Sequence, residues 1–253
     1  MPAIRLELRG GIAVLTIDNP TKRNAFTHEM TQALGRHLDA AERDPAVKCV
    51  VITGEGDVAF SSGHDLKEML THQDQASDAS LNEPFLMPAR MRTPTIAAIN
   101  GYALAAGFIL ALNCDFRVCA ANASFAAPGA RIGLLPIGGQ LSRLPALLPR
   151  AVAHELLVTC REMKAEEALH LGFASRAAPQ GGALDAALAM AGEITRHSAG
   201  VVRAVKTGLE TGLYAGADAA REHEWRVSAE LQRAPDASEG IRAFLEKRAP
   251  RFQ

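Results

Sequence analysis

The stretch AFSSGHDLKEM, residues 59–69, sets Ser61, Ser62 and Gly63 directly ahead of His64 and Asp65, with helix-forming residues behind them. Two chemistries are open to it. One is a His64/Asp65 dyad, but side chains adjacent in sequence usually point apart. The other uses the backbone. Small residues at a helix start leave N–H groups without partners, and the helix dipole favours negative charge there. A second glycine-containing turn of the same kind is NGYALAAG, residues 100–107, and a third is PGARIGLLPIGG, residues 128–139. Two such turns brought together would aim a pair of backbone donors at a developing oxyanion. Close packing of helix on sheet is the alternative explanation of each turn taken singly.

Other catalytic signatures are missing. There is no G-x-x-x-x-G-K-[ST] phosphate loop, and TGEGDVAF lacks the third glycine of a dinucleotide fingerprint. Ser62 lies in S-S-G-H rather than G-x-S-x-G, so no nucleophile elbow is indicated. The histidines at 28, 37, 72, 154, 170, 197 and 223 are scattered singly, without metal-ligand spacing.

The elements that must carry these turns are legible. IRLELRGGIAVLTIDN reads as a hairpin about Gly10-Gly11. Thr27 caps a helix running to Arg43, with Met30, Leu34, Leu38 and Ala41 on one face. KCVVITGEG, TPTIAAIN and CDFRVCAANASF read as short strands, and an apolar helix spans residues 108–112. Strands therefore alternate with helices through the first two-thirds, which predicts an α/β fold. From Leu141 onwards the pattern reads as almost wholly helical. The polar run at 71–83 is expected to be a mobile loop.

Composition fits this picture. The 253 residues are 48% apolar and 22% charged, with a formal net charge of -1. No global field points to nucleic acid or an anionic membrane, so a phosphate-bearing ligand would need a local basic cluster. Cys49, Cys114, Cys119 and Cys160 show no metal-type spacing and are expected to be buried free thiols. No metal is expected. The first residues lack a secretory apolar core, and the longest apolar stretch is too short to span a bilayer. A soluble, cytoplasmic protein is expected.

Together AFSSGHDLKEM and PTIAAINGYALAAGFILALNCDFRVCAANASFAAPGARIGLLP resemble the enoyl-CoA hydratase/isomerase, or crotonase, superfamily, with support from IDNPTKRNAF and EGIRAFLEKRAPRF. The resemblance covers nearly the whole chain. It implies a core of repeated ββα units over 1–195, and a helical region over 196–253 that builds homotrimers or hexamers. It implies acyl-CoA substrates, coenzyme A entering only as part of the substrate, and an enolate held by the backbone N–H groups of His64 and Ala106. The family's two catalytic glutamates fall at Ile109 and Gly129, neither of which can move a proton. Ordinary hydratase activity is therefore doubtful. Three readings stay open: a hydratase/isomerase-like reaction using unconventional groups, decarboxylation of a malonyl-type thioester, and acyl-CoA binding with little catalysis. Some decarboxylases of the superfamily carry a histidine where His64 stands, but the tyrosine they often add is missing from GLLPIGG. Asp65, Asn100, Asp115, Arg131 and Gln140 are the polar groups nearby in sequence, each expected to be structural. The resemblance further implies CoA or substrate contacts from Lys22, Arg23, Ala25, Ser62, Asp65, Leu66, Pro128 and Ile132. Phe244 and Lys247 of the basic C-terminal segment would join them, reaching a neighbouring subunit's CoA. Lys67 is a further candidate for the phosphates.

Overall fold

A computed structural model describes residues 1–71 and 79–252. The hairpin forms as expected: strands β1 (Ala3–Arg9) and β2 (Ile12–Asp18) pair antiparallel across Gly10-Gly11. Parallel strands β3 (Cys49–Gly54), β5 (Thr95–Ile99), β7 (Phe116–Ala120) and β10 (Arg176–Ala178) extend the sheet in the order β1-β2-β3-β5-β7-β10. A second sheet takes one short strand after each long one: β4 (Ala59–Ser61), β6 (Tyr102–Leu104) and β8 (Ser124–Ala126), with β9 (Met163–Lys164) closing its edge. Each turn of the chain thus deposits a long strand in one sheet and a short strand in the other, a spiral of ββα units.

Alternation along the strands sends side chains to two separate cores. Leu15, Val50, Ile52, Ala97 and Ile99 face helix α1 (His28–Arg43) and helix α4 (Ala106–Asn113). Val14, Val51, Ile96 and Ala98 face helix α8 (Ala183–Ile194), which offers Ala187, Met190 and Ala191. Central strands covered on both faces must be apolar throughout, and all six β3 residues are buried. Fully enclosed residues such as Leu15, Leu34 and Ile52 each stabilise the fold by about 1.5–3 kcal/mol. The α1 cap is the expected one: Thr27 Oγ1 accepts the Met30 N–H at 3.2 Å.

Two expectations need correction. The run at 71–83 is not a loop at its C-terminal end. After helix α2 (Leu66–Thr71), residues 72–78 lie outside the described residues, but helix α3 spans Ala79–Arg90. Pro84 and Pro88 sit inside it, which disguised the helix in the sequence. Packing overrides that penalty, because Phe85 is fully buried with its ring edge-to-face on Phe26 at 4.9 Å. The region beyond Leu141 is likewise not wholly helical. Helices α5 (Leu144–Leu147), α6 (Arg150–Thr159) and α7 (Ala165–His170) are interrupted by β9, and β10 precedes α8.

Helices α9 (Ala199–Ala215), α10 (Ala217–Leu231) and α11 (Pro235–Leu245) complete the chain. Buried charges fasten α9 to the rest. Arg143 donates to both carboxylate oxygens of Glu210 at 2.7 Å, and Lys206 pairs with Asp115 at 2.8 Å. Such buried pairs cost several kcal/mol when one partner is removed. All four cysteines are free and buried, as expected.

Candidate active site

The turn after β4 is shaped by its first serine. Ser61 Oγ accepts the Gly63 N–H at 3.1 Å, and Gly63 takes φ +98°, a conformation that side chains resist. A Cβ on Gly63 would lie 2.8 Å from Ala105 Cβ and 3.2 Å from the Ala106 nitrogen. Glycine is what lets the two turns meet. On the other side, Phe26 N–H donates to Gly63 O and Asp65 N–H donates to Phe26 O, both at 2.8 Å. These bonds form the parallel bridge between Phe26 and His64. In a parallel bridge the central residue's own N–H points away from its partner. The His64 N–H therefore points away from Phe26, with no acceptor among the described residues.

The second turn is made by backbone conformation. Ala105 joins β6 to α4 at φ +48°, ψ -117°, and no side chain caps the helix. A non-glycine residue there stores about 1–3 kcal/mol of strain. Its N–H is tied to Ala126 O at 3.1 Å, and the next N–H, that of Ala106, opens the helix unpaired. Gly107 lets α4 lie directly on β4, since a Cβ there would approach Ser61 O to 2.4 Å. The two turns thus adjoin at Gly63 and Ala106, each with an unpaired backbone donor. Such a pair can polarise a carbonyl oxygen and hold it as it gains charge.

The side chains around the turns are mostly occupied. Asp65 is buried and pairs with Lys22, whose ammonium holds the carboxyl below its usual range, and it accepts the Lys67 N–H at 3.0 Å. Ser62 Oγ donates to Lys22 O at 3.2 Å, and Ser62 N–H donates to Arg23 O at 3.0 Å. Lys22, Arg23, Ala25, Ser62 and Asp65 therefore lie together, while Leu66 is exposed beside them. The His64 ring turns toward α3, its Nε2 lying 3.4 Å from Asn82 Oδ1. Burial pushes its pKa down and favours the neutral imidazole.

Ile109, on α4, is buried against Gly138, where a Cβ would come within 2.4 Å of Ile109 Cγ2. Asn113 clamps this contact, its amide donating to Ile109 O at 2.8 Å and to Gly138 O at 2.9 Å. Gly129 lies in the short helical turn Pro128–Ile132, and a Cβ there would sit 2.5 Å from Leu134 O. Pro128 is half-buried in that turn and Ile132 is exposed. Phe244 is exposed on α11, and the charged groups near Lys247 bond among themselves. Arg248 donates to Glu239 at 2.6 Å and holds its carboxyl down to about 2. Within one chain these C-terminal residues are not joined to the turns by any hydrogen bond among the described residues.

The remaining polar candidates are structural. The Asn100 amide donates to Gly54 O at 3.0 Å and Gly56 O at 2.7 Å, Asp115 accepts the Thr95 N–H at 2.7 Å, and Arg131 donates to Cys160 O at 3.3 Å. Gln140 is buried. Cys49, Cys114 and Cys119 have thiols pushed up to about 12 by burial, so they are not nucleophiles at neutral pH. Sequence reasoning missed Asn24, which donates to Glu55 O at 3.0 Å and Ala59 O at 2.6 Å. It also missed Ser61 and Asn113. Their signal was present, since each is a short polar residue at a junction, but nothing in the pattern said which ones are buried.

Known proteins resemble this chain over nearly its whole length. A family model described as enoyl-CoA hydratase/isomerase matches residues 7–253. Carnitinyl-CoA dehydratase of Salmonella typhi is 36% identical over 258 aligned residues, which cover 98% of this chain and 97% of that protein. An enoyl-CoA hydratase structure from Polaromonas sp. JS666 superposes with a TM-score of 0.93 at 33% identity, covering 99% of this chain and 100% of that one. An enoyl-CoA hydratase structure from Mycobacterium tuberculosis gives 0.92 at 33% identity, covering 100% and 99%.

Proposed function

The chain belongs to the enoyl-CoA hydratase/isomerase family and carries its crotonase fold, and we propose that it binds acyl-CoA thioesters and stabilises their enolates through backbone donors alone. The thioester oxygen accepts from the His64 and Ala106 N–H groups. When the α-carbon gives up its proton to solvent water or hydroxide, the electron pair of the broken C–H bond moves onto that oxygen and both hydrogen bonds strengthen. Each donor contributes on the order of 3–4 kcal/mol at the transition state. Both donors sit on turns fixed before substrate arrives, so no reorganisation is needed during the reaction.

The relatives named above are a dehydratase and hydratases, which move water and a proton across a carbon–carbon bond. In this chain the two positions that would hold carboxylates are Ile109 and Gly129. A positioned acid or base contributes about 10²- to 10⁴-fold, so ordinary hydration is expected to be slow. The single observation that carries the reading is this combination: an unpaired backbone donor on each of two adjoining turns, and no carboxylate at 109 or 129. Incubating butanoyl-CoA with the protein in heavy water tests it. Deuterium at the α-carbon, with little hydration of crotonoyl-CoA, is the expected result; hydration at the rate of an ordinary hydratase would overturn it.

A second reading is favoured by Gly129, where the Leu134 carbonyl leaves no room for a side chain. Decarboxylation of a malonyl-type thioester needs no base on the protein, because the breaking bond to the carboxylate supplies the electron pair. Release of CO2 from malonyl- or methylmalonyl-CoA tests this alternative. A third, acyl-CoA binding without turnover, predicts measurable CoA affinity and no product.

Self-association into a trimer or hexamer is part of the same proposal. Val201, Val205, Leu209 and Leu213 recur every four residues along α9 and are exposed. A second copy covering this stripe would also bring the basic segment around Phe244 and Lys247 toward a neighbouring site.

A further inference from the structure

The His64 side chain closes a ring of contacts that the oxyanion reading does not use. The Phe26 backbone bridges the His64 backbone on both sides, through Gly63 O and the Asp65 N–H. The Phe26 ring meets the Phe85 ring edge-to-face at 4.9 Å, and the Phe85 ring meets the His64 imidazole edge-to-face at 5.1 Å. Two strands' worth of backbone and two aromatic edges therefore return to the same residue. We propose that the His64 imidazole is a positioning group: held by Phe85 and Asn82 of α3, it fixes the direction of its own backbone N–H. The proposal rests on the oxyanion reading above.

One polar atom of the ring is unpartnered and the other is committed to α3. Nδ1 is buried with no partner among the described residues, and Nε2 faces Asn82 Oδ1 at the outer limit of a hydrogen bond, 3.4 Å. A group that moves protons needs a nitrogen turned to the substrate; here one is enclosed and the other is turned to α3. What the ring does contribute is shape. Aromatic edge-to-face pairs have defined geometry, so the imidazole resists rotation of the turn to which it is attached.

A phenyl ring should do this work and a methyl group should not. The probe is crotonoyl-CoA labelled with ¹³C at the thioester carbon, bound to the purified protein, with the carbonyl stretch followed by isotope-edited infrared spectroscopy. The wild-type protein is expected to shift the band to lower frequency. His64→Phe should keep that shift, and His64→Ala should lose most of it. Phe85→Leu, which removes the ring from the other side while leaving His64 in place, should also lose most of it. A full shift retained by His64→Ala and Phe85→Leu overturns the positioning role alone. A loss in His64→Phe equal to that in His64→Ala overturns it too, by showing that the nitrogens matter. No shift in the wild-type protein overturns the oxyanion reading itself, and this proposal with it. Thermal melts on each variant identify any that has failed to fold, and the remaining variant on the opposite side of the contact then decides.

Discussion

The two turns that present His64 and Ala106 perform matched tasks by different means. The first is held from outside: the Ser61 hydroxyl, the Phe26 backbone and the α3 rings all grip it. The second is held from within, by the unusual backbone of Ala105 and the start of α4. The first can be loosened by changes far away in sequence, at Phe26 or Phe85. The second depends on its own backbone and on the Ala126 carbonyl that receives the Ala105 N–H. They meet at two glycines, Gly63 and Gly107, each pressed against the backbone of the other turn.

This contrast can be broken in order of expected effect. Gly107→Ala drives a methyl group into the Ser61 carbonyl, which cannot move without parting β4 from α4. It should cost about 3 kcal/mol, read as a lower urea midpoint, and abolish turnover. Gly63→Ala presses on the Ala105 methyl and takes a side chain into a φ of +98°, so it should also lower the urea midpoint. Turnover should fall about 10²-fold as one donor shifts, measured as α-proton exchange on butanoyl-CoA.

Ile109→Glu sharpens the comparison from the substrate side. A carboxylate at 109 would take over the volume that the Ile109 side chain fills against Gly138, and hydration of crotonoyl-CoA should rise about tenfold. Adding Gly129→Glu should bring no further gain, because its Cβ displaces the Leu134 carbonyl. The smallest effect is expected at Lys22→Met. The Lys22 side chain is half exposed, so losing its pair with Asp65 should lower stability only slightly. Lys22 lowers the Asp65 pKa below its ordinary value of 3.8. This contribution is therefore complete above that pH and is lost as the pH falls through the folded-state value. Unfolding curves for wild type and Lys22→Met should accordingly converge in acid.

Much of this was legible in the sequence. Period-two and period-four patterns reported the hairpin, α1 and the buried strands, because each depends on local alternation. The turn at Gly63 and the helix start at Ala106 were legible because glycine and alanine cluster there. What could not be read were consequences of long-range packing. Phe85 makes α3 a helix despite Pro84 and Pro88 by burying its ring on Phe26, sixty residues away in a different element. The short strands β9 and β10 are set by their partners β8 and β7 rather than by their own two or three residues. The inward turn of the His64 ring was equally hidden, since the sequence shows the residue and not the pocket that receives it.

Gly129 carries a lesson about history as well as chemistry. A gene changing one residue at a time cannot easily place an acid at this position, because any side chain there first collides with the main chain at Leu134. The segment 128–134 would have to be redrawn before the new group had any use. Position 109 already carries a side chain, seated against Gly138. The protein therefore has one open road and one closed road toward a carboxylate-bearing wall, and chemistry regained by small steps should begin on α4.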